Sequence, residues 1–427
     1  MLDIKFIKEN PELIKEAVRK KHIKFNVNEL LRAEEARIFA LQEVEALRAE
    51  QNEKSDAIGN MLDQEYKARM IVEMQKLKET LKEKESKLSE VMKQWQELML
   101  QVPNIPDMSV PEGESDNDNK EIKVWGEKTV FNFEPKDHIV IMTRLKMVDF
   151  ERGTKVHGFR GYFLTGDGAL LCFAIWNYAL EFFLKKNFIP IIPPAIVRKS
   201  NFFGTGHLPA DVEDYYITQD SDCLIATAEI PLMGFHSNEV LSISDLPKRY
   251  LGFSPSFRRE AGAYSKDIKG LIRVNEFYKF EQLVLCDANH DISVKIHEEL
   301  NRNTEEFLES LGLHYRTINA CGGNLGRGHV KMYDIELWVP KEEKYREISS
   351  ASYFHDFQCR RFNIRYKDAD GKMRYAHSLN ATAIPTPRIL VSLVENFQQK
   401  DGSIVIPEVL RKYMGGRERI VLSKIVK

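Results

Sequence analysis

The chain has 427 residues, 43% hydrophobic and 30% charged, a balance that suits a globular protein of two or three domains rather than a disordered or membrane-embedded one. Sixty-two Lys and Arg against 64 Asp and Glu nearly cancel, so bulk charge selects no partner and any RNA binding must be local. The longest apolar run, Ala169 to Trp176, falls far short of the roughly 20 residues that span a bilayer, so no membrane partner is expected. Asp3 and Lys5 stand where a signal peptide would begin its apolar stretch. Five widely spaced cysteines (Cys172, Cys223, Cys286, Cys321, Cys359) without a Cys-x-x-Cys argue against a disulfide framework or a thiolate zinc site, and point to a reduced, cytoplasmic protein.

Residues 1–26 form a small basic lead-in with seven Lys or Arg against four Asp or Glu. From there to Pro103 the chain is almost free of Gly and Pro and reads as helical. Leu30, Ala33, Ala40, Val44, Leu47, Ile58 and Met61 repeat loosely, and Gly59-Asn60 with Asp63 supplies turn chemistry. Then Met70, Met74, Leu77, Leu81, Lys84, Leu88, Val91, Trp95, Leu98 and Val102 follow alternating spacings of four and three, a heptad seam with one polar member. The pattern predicts an antiparallel coiled-coil hairpin over 30–102, with a second helix roughly 55 Å long. On its own such a seam suits a dimerisation coil or spacer, and residues 27–103 hold 12 basic and 16 acidic side chains. The Pro- and acid-rich stretch after Val102 is a linker by composition, which divides the chain into 1–103 and 104–427. Beyond it, helix-like segments (165–187, 291–312, 386–399) alternate with β-branched or aromatic runs such as Phe188–Ile192, Phe277–Leu285 and Ile335–Val339. Long loops between these runs predict an antiparallel α+β sheet rather than a doubly wound parallel one.

Phosphate handling is usually announced by glycine, yet there is no Gly-x-x-x-x-Gly-Lys-Ser/Thr loop and no Gly-x-Gly-x-x-Gly between strand and helix. If a nucleotide binds, arginine must hold its phosphates. The segment Phe257 to Glu281 reads as strand, long polar loop, strand, and on its second strand Arg273, Asn275, Phe277, Lys279 and Glu281 share parity, which predicts that all five face one side. An arginine, an aromatic face and a carboxylate together there suit a site better than a core.

With these residues in place, the chain resembles the bacterial-type seryl-tRNA synthetases, a family of class II aminoacyl-tRNA synthetases. Phe257-Arg258-Arg259-Glu260 through Glu281 is similar to motif 2, and Thr227-Ala228-Glu229 to the family's Thr-x-Glu signature. Glu347-Ile348-Ser349-Ser350, Asp356-Phe-Gln358 and Arg360 to Arg365 resemble the stretch before motif 3. Asn380-Ala381-Thr382 to Arg388 with Glu395-Asn396 resembles motif 3, residues 165–194 resemble motif 1, and the helical hairpin resembles the family's tRNA-binding arm. The resemblance implies an antiparallel catalytic sheet with flanking helices behind a coiled-coil arm. It further implies a homodimer and an ATP- and Mg²⁺-dependent ligase that joins L-serine to tRNA(Ser), with tRNA(Sec) a further candidate acceptor. By the same resemblance Arg258 and Arg388 are catalytic. ATP falls to Arg258, Arg259, Glu260, Arg273, Val274, Phe277, Glu347, Ile348, Ser349, Ser350 and Arg388, serine to Thr227, Ala228, Glu229, Arg258, Glu281, Asn380 and Thr382, and Mg²⁺ to Glu347 and Ser350. The chain departs from the family pattern at Ala226, Asn324, Arg327, Tyr353, Ala381 and Thr382.

Chemistry asks for the same residue types independently. Joining a carboxylate to the α-phosphorus of ATP brings two anions together, which guanidinium groups offset, while an oxygen-rich set suits a hard divalent ion. Zinc is not expected, because His355/Cys359 and Cys321/His329 lack a second ligand pair at recognised spacing. A paralogue loading a carrier protein tends to lack the arm, and a non-catalytic relic predicts loss of Arg258 or Arg388; arm and arginines are all present.

Overall fold

The computed structural model describes residues 1–59, 62–210, 212–262 and 267–422. The chain separates into two compact units, Leu2–Arg19 with Ile23–Pro103, and Met1 and Lys20–His22 with Asn104–Lys427. In the smaller unit α1 (Ile4–Glu9) and α2 (Pro11–Lys20) precede two long helices, α3 (Val27–Gly59) of 33 residues and α4 (Gln64–Gln101) of 38. At 1.5 Å per residue, α4 is about 57 Å long. The two pair along the expected seam: no seam position from Met70 to Val102 is exposed, whereas the residues between them mostly are. Lys84, the polar member, reaches Glu43 of α3 at 2.5 Å, and Arg48 reaches Glu85 at 2.7 Å. Asp63 starts α4, its carboxylate accepting from the backbone N–H of Glu65 and Tyr66 at 3.0 and 3.1 Å. Asn60 and Met61 of the expected turn lie outside the described residues.

The larger unit is built on an eight-stranded sheet. In chain order its strands are β1 (Lys120–Trp125), β2 (Ile189–Ile191), β3 (Lys248–Phe257), β4 (Glu276–Cys286), β5 (Tyr315–Asn319), β6 (Lys331–Val339), β7 (Lys344–Tyr353) and β8 (His377–Thr386). They lie in the order β1-β5-β6-β7-β8-β4-β3-β2 and pair antiparallel throughout except for β2 with β3. Five helices frame the sheet and its central cleft: α5 (Asp167–Leu184), α6 (Glu229–Phe235), α7 (His290–Ser310), α8 (Phe357–Phe362) and α9 (Arg388–Asn396). Leu171, Ile175 and Phe183 of α5, Leu300 and Phe307 of α7, and Leu390 and Val394 of α9 join the strands' apolar side chains in one core.

Helix α5 is long and apolar enough to cross a membrane by length and composition alone. Here it packs on that core, with Asp167 paired to Arg417 and Glu181 to Lys412. All five cysteines are buried and free.

The seam generates a direct test. Leu81 is 8% exposed and Tyr66 on the same helix 53%. Leu81→Ala is expected to cost the hairpin about 2–5 kcal/mol, the range for a large-to-small change in a core, and Tyr66→Ala less than about 0.5 kcal/mol. Unfolding followed by circular dichroism at the helical band checks both.

Candidate active site

The centre of the sheet, β7-β8-β4-β3, carries a cleft of about 500 Å³ lined by Arg258, Glu260, Leu271, Ile272, Arg273, Val274, Phe277, Lys279, Glu347, Ile348, Thr382, Pro385, Thr386, Pro387 and Arg388. Of the residues expected to hold ATP, Arg258, Glu260, Arg273, Val274, Phe277, Glu347, Ile348 and Arg388 line it, while Arg259, Ser349 and Ser350 do not. The backbone N–H of Arg259 is engaged with the carbonyl of Asp214 at 2.9 Å. Ser349 is buried, and its hydroxyl donates to the carbonyl of Thr382 at 2.5 Å.

Three guanidinium groups converge on this cleft. Arg388 opens α9 and donates to the carbonyls of Ile272 (3.2 Å) and Glu347 (2.7 Å). Burial pushes its pKa down; the Glu347 carboxylate opposes this, and Arg258 and Arg273 push it further down. Arg273 is ion-paired with Glu260 and lies 3.6 Å from Asp267. Arg258 sits over the ring of Phe277 at 5.3 Å from its centroid. Such a cluster of like charges is stabilised by an anion entering among them.

One expectation needs correction here. Arg273 and Asn275 do not belong to the strand, because β4 begins at Glu276. Asn275 instead closes the neck of the loop: its amide donates to the carbonyls of Arg258 and Arg259 at 3.0 and 3.1 Å, and its own carbonyl accepts from Arg258 N–H at 2.9 Å. A side chain spent on backbone groups cannot also face the cleft, yet Arg273, Phe277 and Lys279 still line it together. Ala263 to Lys266 of the loop lie outside the described residues.

Beneath the cleft is a buried polar cluster. Glu229, Glu281, Asn380, Thr382 and Thr227 are all under 9% exposed. Thr227, just ahead of α6, accepts from Glu229 N–H at 3.3 Å, and Ala228 is buried against Gly252 of β3. Burial pushes the Glu229 carboxyl up, and a hydrogen bond from Gln358 (2.7 Å), the Lys279 charge and a hydrogen bond from Asn380 oppose it. Burial also raises Glu281, against the pull of Lys279, while Glu229 adds to the rise and Arg258 lowers it. Lys279 Nζ lies 2.5 Å from Glu281 and 3.3 Å from Thr382 Oγ1.

A second group of acids borders Glu347. Ser350 Oγ donates to Asp334 at 2.5 Å across the β6–β7 pair. Burial drives the Asp334 carboxyl well up, with the nearby Glu347 charge adding to it. Asp334, the contact of Gln358 with Glu229 and the pairing of Lys279 with Glu281 were not singled out by sequence reasoning. Asp334 alternates with apolar neighbours in a strand pattern, where an acid reads as a solvated face, and nothing local in the sequence marks Gln358 as a partner of a distant carboxylate. Two departures from the family pattern have local partners: Asn324 donates to Asp116 and Asn119 (2.9 and 3.0 Å), which an aspartate could not do, and the Tyr353 hydroxyl donates to Asp107 at 2.8 Å.

Known proteins match this chain along its whole length. The class II tRNA synthetase core domain (G, H, P, S and T) matches residues 213–397, and the seryl-tRNA synthetase N-terminal domain matches residues 1–106. A serine–tRNA ligase from Deinococcus radiodurans is 43% identical over 98% of this chain and 98% of its own length. One from Thermodesulfovibrio yellowstonii is 44% identical over 97% and 99%. The crystal structure of seryl-tRNA synthetase from Pyrococcus horikoshii complexed with ATP superposes with a TM-score of 0.89 at 38% identity, covering 99% of this chain and 100% of that one.

The cluster's packing is testable through Gly252, which lies opposite Glu281 in the β3–β4 pair. A Cβ there would approach Leu232 Cδ1 to 2.7 Å and Ala228 Cβ to 2.8 Å, both beside Glu229. Gly252→Ala is expected to cost about 1–3 kcal/mol by overpacking, read as a lowered thermal midpoint, and to displace α6 in a structure of the variant.

Proposed function

The chain belongs to the seryl-tRNA synthetase family, and on that premise we propose how its residues divide the work of ligating serine to tRNA. The enzyme activates L-serine with ATP to seryl-adenylate, releasing pyrophosphate, and passes the serine to the 3′ end of tRNA. The observation that carries the residue assignment is the convergence of Arg258, Arg273 and Arg388 on one cleft that opens onto two buried carboxylates.

Arg258, nearest the serine cluster, holds the α-phosphate and the serine carboxylate as they approach. Arg388 holds the γ-phosphate end and Arg273 the bend of the triphosphate. Both developing and existing negative charge then meet guanidinium groups already fixed in place. Phe277 stacks on adenine, a contact worth roughly 1–3 kcal/mol by analogy with base stacking, while Glu260, Val274 and Ile348 border the base. The ammonium of serine is received by Glu229, and its hydroxyl by Glu281 and Thr382.

Glu347 and Ser350 fit Mg²⁺. Both offer hard oxygen donors, and the neighbouring Asp334, buried beside the Glu347 charge, is a carboxyl whose repulsion a divalent cation would relieve. Bound there with ATP, the ion would neutralise charge on the phosphate oxygens.

A homodimer is supported by an apolar face. Val156, Phe163 and Phe173 are each more than two-fifths exposed and line, with Trp176, a cavity of about 1020 Å³ on the flank of α5. The α3–α4 hairpin engages tRNA(Ser), through shape and a few basic residues, since its charge balance is acidic. The enzyme works in the cytoplasm, with the tRNA pool.

Two experiments test this reading. Arg258→Ala and Arg388→Ala are each expected to abolish serine-dependent ATP–pyrophosphate exchange while the circular dichroism spectrum is unchanged; exchange within a few-fold of wild type in both would overturn the assigned roles. Deleting 30–102 with a short Gly/Ser bridge is expected to leave serine activation near normal and to collapse tRNA charging, because every residue assigned to ATP or serine lies beyond residue 226. Equal charging by truncated and intact enzyme would return the hairpin to a spacer or dimerisation coil.

A further inference from the structure

Lys279 takes no part in the division of ATP and serine contacts, yet it is the cation of the buried cluster. It is 5% exposed, on the strand that carries Phe277 and Glu281. Its ammonium lies 2.5 Å from Glu281 Oε2 and 3.3 Å from Thr382 Oγ1, and the Thr382 hydroxyl in turn donates to Glu281 Oε2 at 3.4 Å. The three side chains close a triangle on neighbouring strands, β4 and β8, where Glu281 and Thr382 stand directly opposite each other. Lys279 and Thr382 also line the nucleotide cleft, so the triangle forms the wall between cleft and pocket.

This pairing separates two carboxylates that would otherwise be equivalent. Glu229 accepts hydrogen bonds from neutral donors, the Gln358 and Asn380 amides, and among the described residues feels the Lys279 charge only from beyond ion-pair distance. Glu281 already has one. A substrate carrying one ammonium and one hydroxyl therefore meets one carboxylate with no cation paired to it and one already paired with Lys279, which is left to accept a hydrogen bond.

We propose that Lys279 is a positioning residue that assigns the two ends of the amino acid: by pairing with Glu281 it reserves Glu229 for the α-ammonium and makes Glu281 with Thr382 a receptor for a side-chain hydroxyl. The proposal rests on the reading of this cluster as the serine pocket. It follows that a side chain ending in an ammonium is rejected because Lys279 occupies the place of its charge, and that an alanine side chain is rejected because it leaves buried oxygens unpaired.

The groups facing Glu281 are Lys279 on its own strand, Thr382 from β8, Glu229 from α6 and Arg258 from the end of β3. Without Lys279, burial and Glu229 raise Glu281, with Arg258 and the Thr382 hydroxyl left to oppose them. The carboxylate form is then lost at higher pH, so the acid limb of the serine kcat/KM profile moves upward.

The test is ATP–pyrophosphate exchange by the full-length enzyme with L-serine, L-alanine and L-2,3-diaminopropionate, which replaces the serine hydroxyl by an amine. For Lys279→Met the serine KM is expected to rise at least tenfold with the ATP KM within twofold. The acid limb is expected to move up by about one pH unit, and the ratio of diaminopropionate to serine activation to rise at least tenfold, the ligand's ammonium standing in for the missing one. Lys279→Arg, which keeps the charge, is expected to hold the wild-type acid limb. Should Lys279→Met fail to fold, Lys279→Arg and Glu281→Gln carry the test: the first must keep diaminopropionate excluded, and the second must lose discrimination between serine and alanine. A serine KM within twofold of wild type, an unmoved acid limb or unchanged diaminopropionate rejection in folded Lys279→Met would overturn the role of Lys279. Absence of serine-dependent exchange in the wild-type enzyme would instead overturn the serine pocket itself.

Discussion

Three guanidinium groups held in one cleft are the constraint on which the rest of the site depends. Two unit charges 8 Å apart repel by about 2 kcal/mol at an effective dielectric near 20, so Arg258, Arg273 and Arg388 stay together only because each is anchored. Arg273 is tied to Glu260, Arg388 to the carbonyls of Ile272 and Glu347, and Arg258 rests on Phe277. Burial and like charge lowering the Arg388 pKa are the cost of holding this arrangement ready. On the proposed assignment a triphosphate would remove that cost on binding, in place of the glycine phosphate loop that the chain lacks.

The sheet delivers these anchors through two irregularities. Between β6 and β7 the register slips so that Ile348 has no partner, and between β8 and β4 it slips at Ala383. An extra residue bends its strand and frees backbone groups from the ladder. Both slips fall at the site: Glu347 and Ile348 turn into the cleft, and the Thr382 carbonyl accepts from Ser349 and from Thr304 of α7 at 2.5 and 3.2 Å. Thr382 is thereby held by its backbone, leaving its hydroxyl to Lys279 and Glu281.

How far the sequence was legible depends on the physics of each signal. The hairpin was readable because a heptad seam repeats one constraint over ten positions, so even Lys84 fits once its partner Glu43 is seen. The cleft-lining arginines were readable because the resemblance fixed them and no glycine loop competed. Strand parity identified Phe277, Lys279 and Glu281 correctly as neighbours on one face but extended the strand three residues too far, since parity cannot tell a strand residue from one whose side chain has taken over backbone partners, as Asn275 has. Asp334 was invisible for a related reason. An acid alternating with apolar residues signals a solvated face, and only the β6–β7 register, which sets it against Ser350, reveals it as buried.

The two halves of the site carry opposite charge, and their order in space imposes an order on the chemistry. Cations outnumber acids in the cleft, and two buried carboxylates lie beneath it, so on the proposed assignment ATP and an amino acid each have one place that suits them. The reacting groups, a phosphate and a carboxylate, are both anionic and belong at the boundary. Arg258 is the group suited to that boundary: it lines the cleft with Arg273 and Arg388 and is close enough to Glu281 to lower its pKa. On the proposed assignment a guanidinium there would offset the repulsion between the two substrates only when both are bound, so its contribution would appear as they approach reaction rather than as tight binding of either alone.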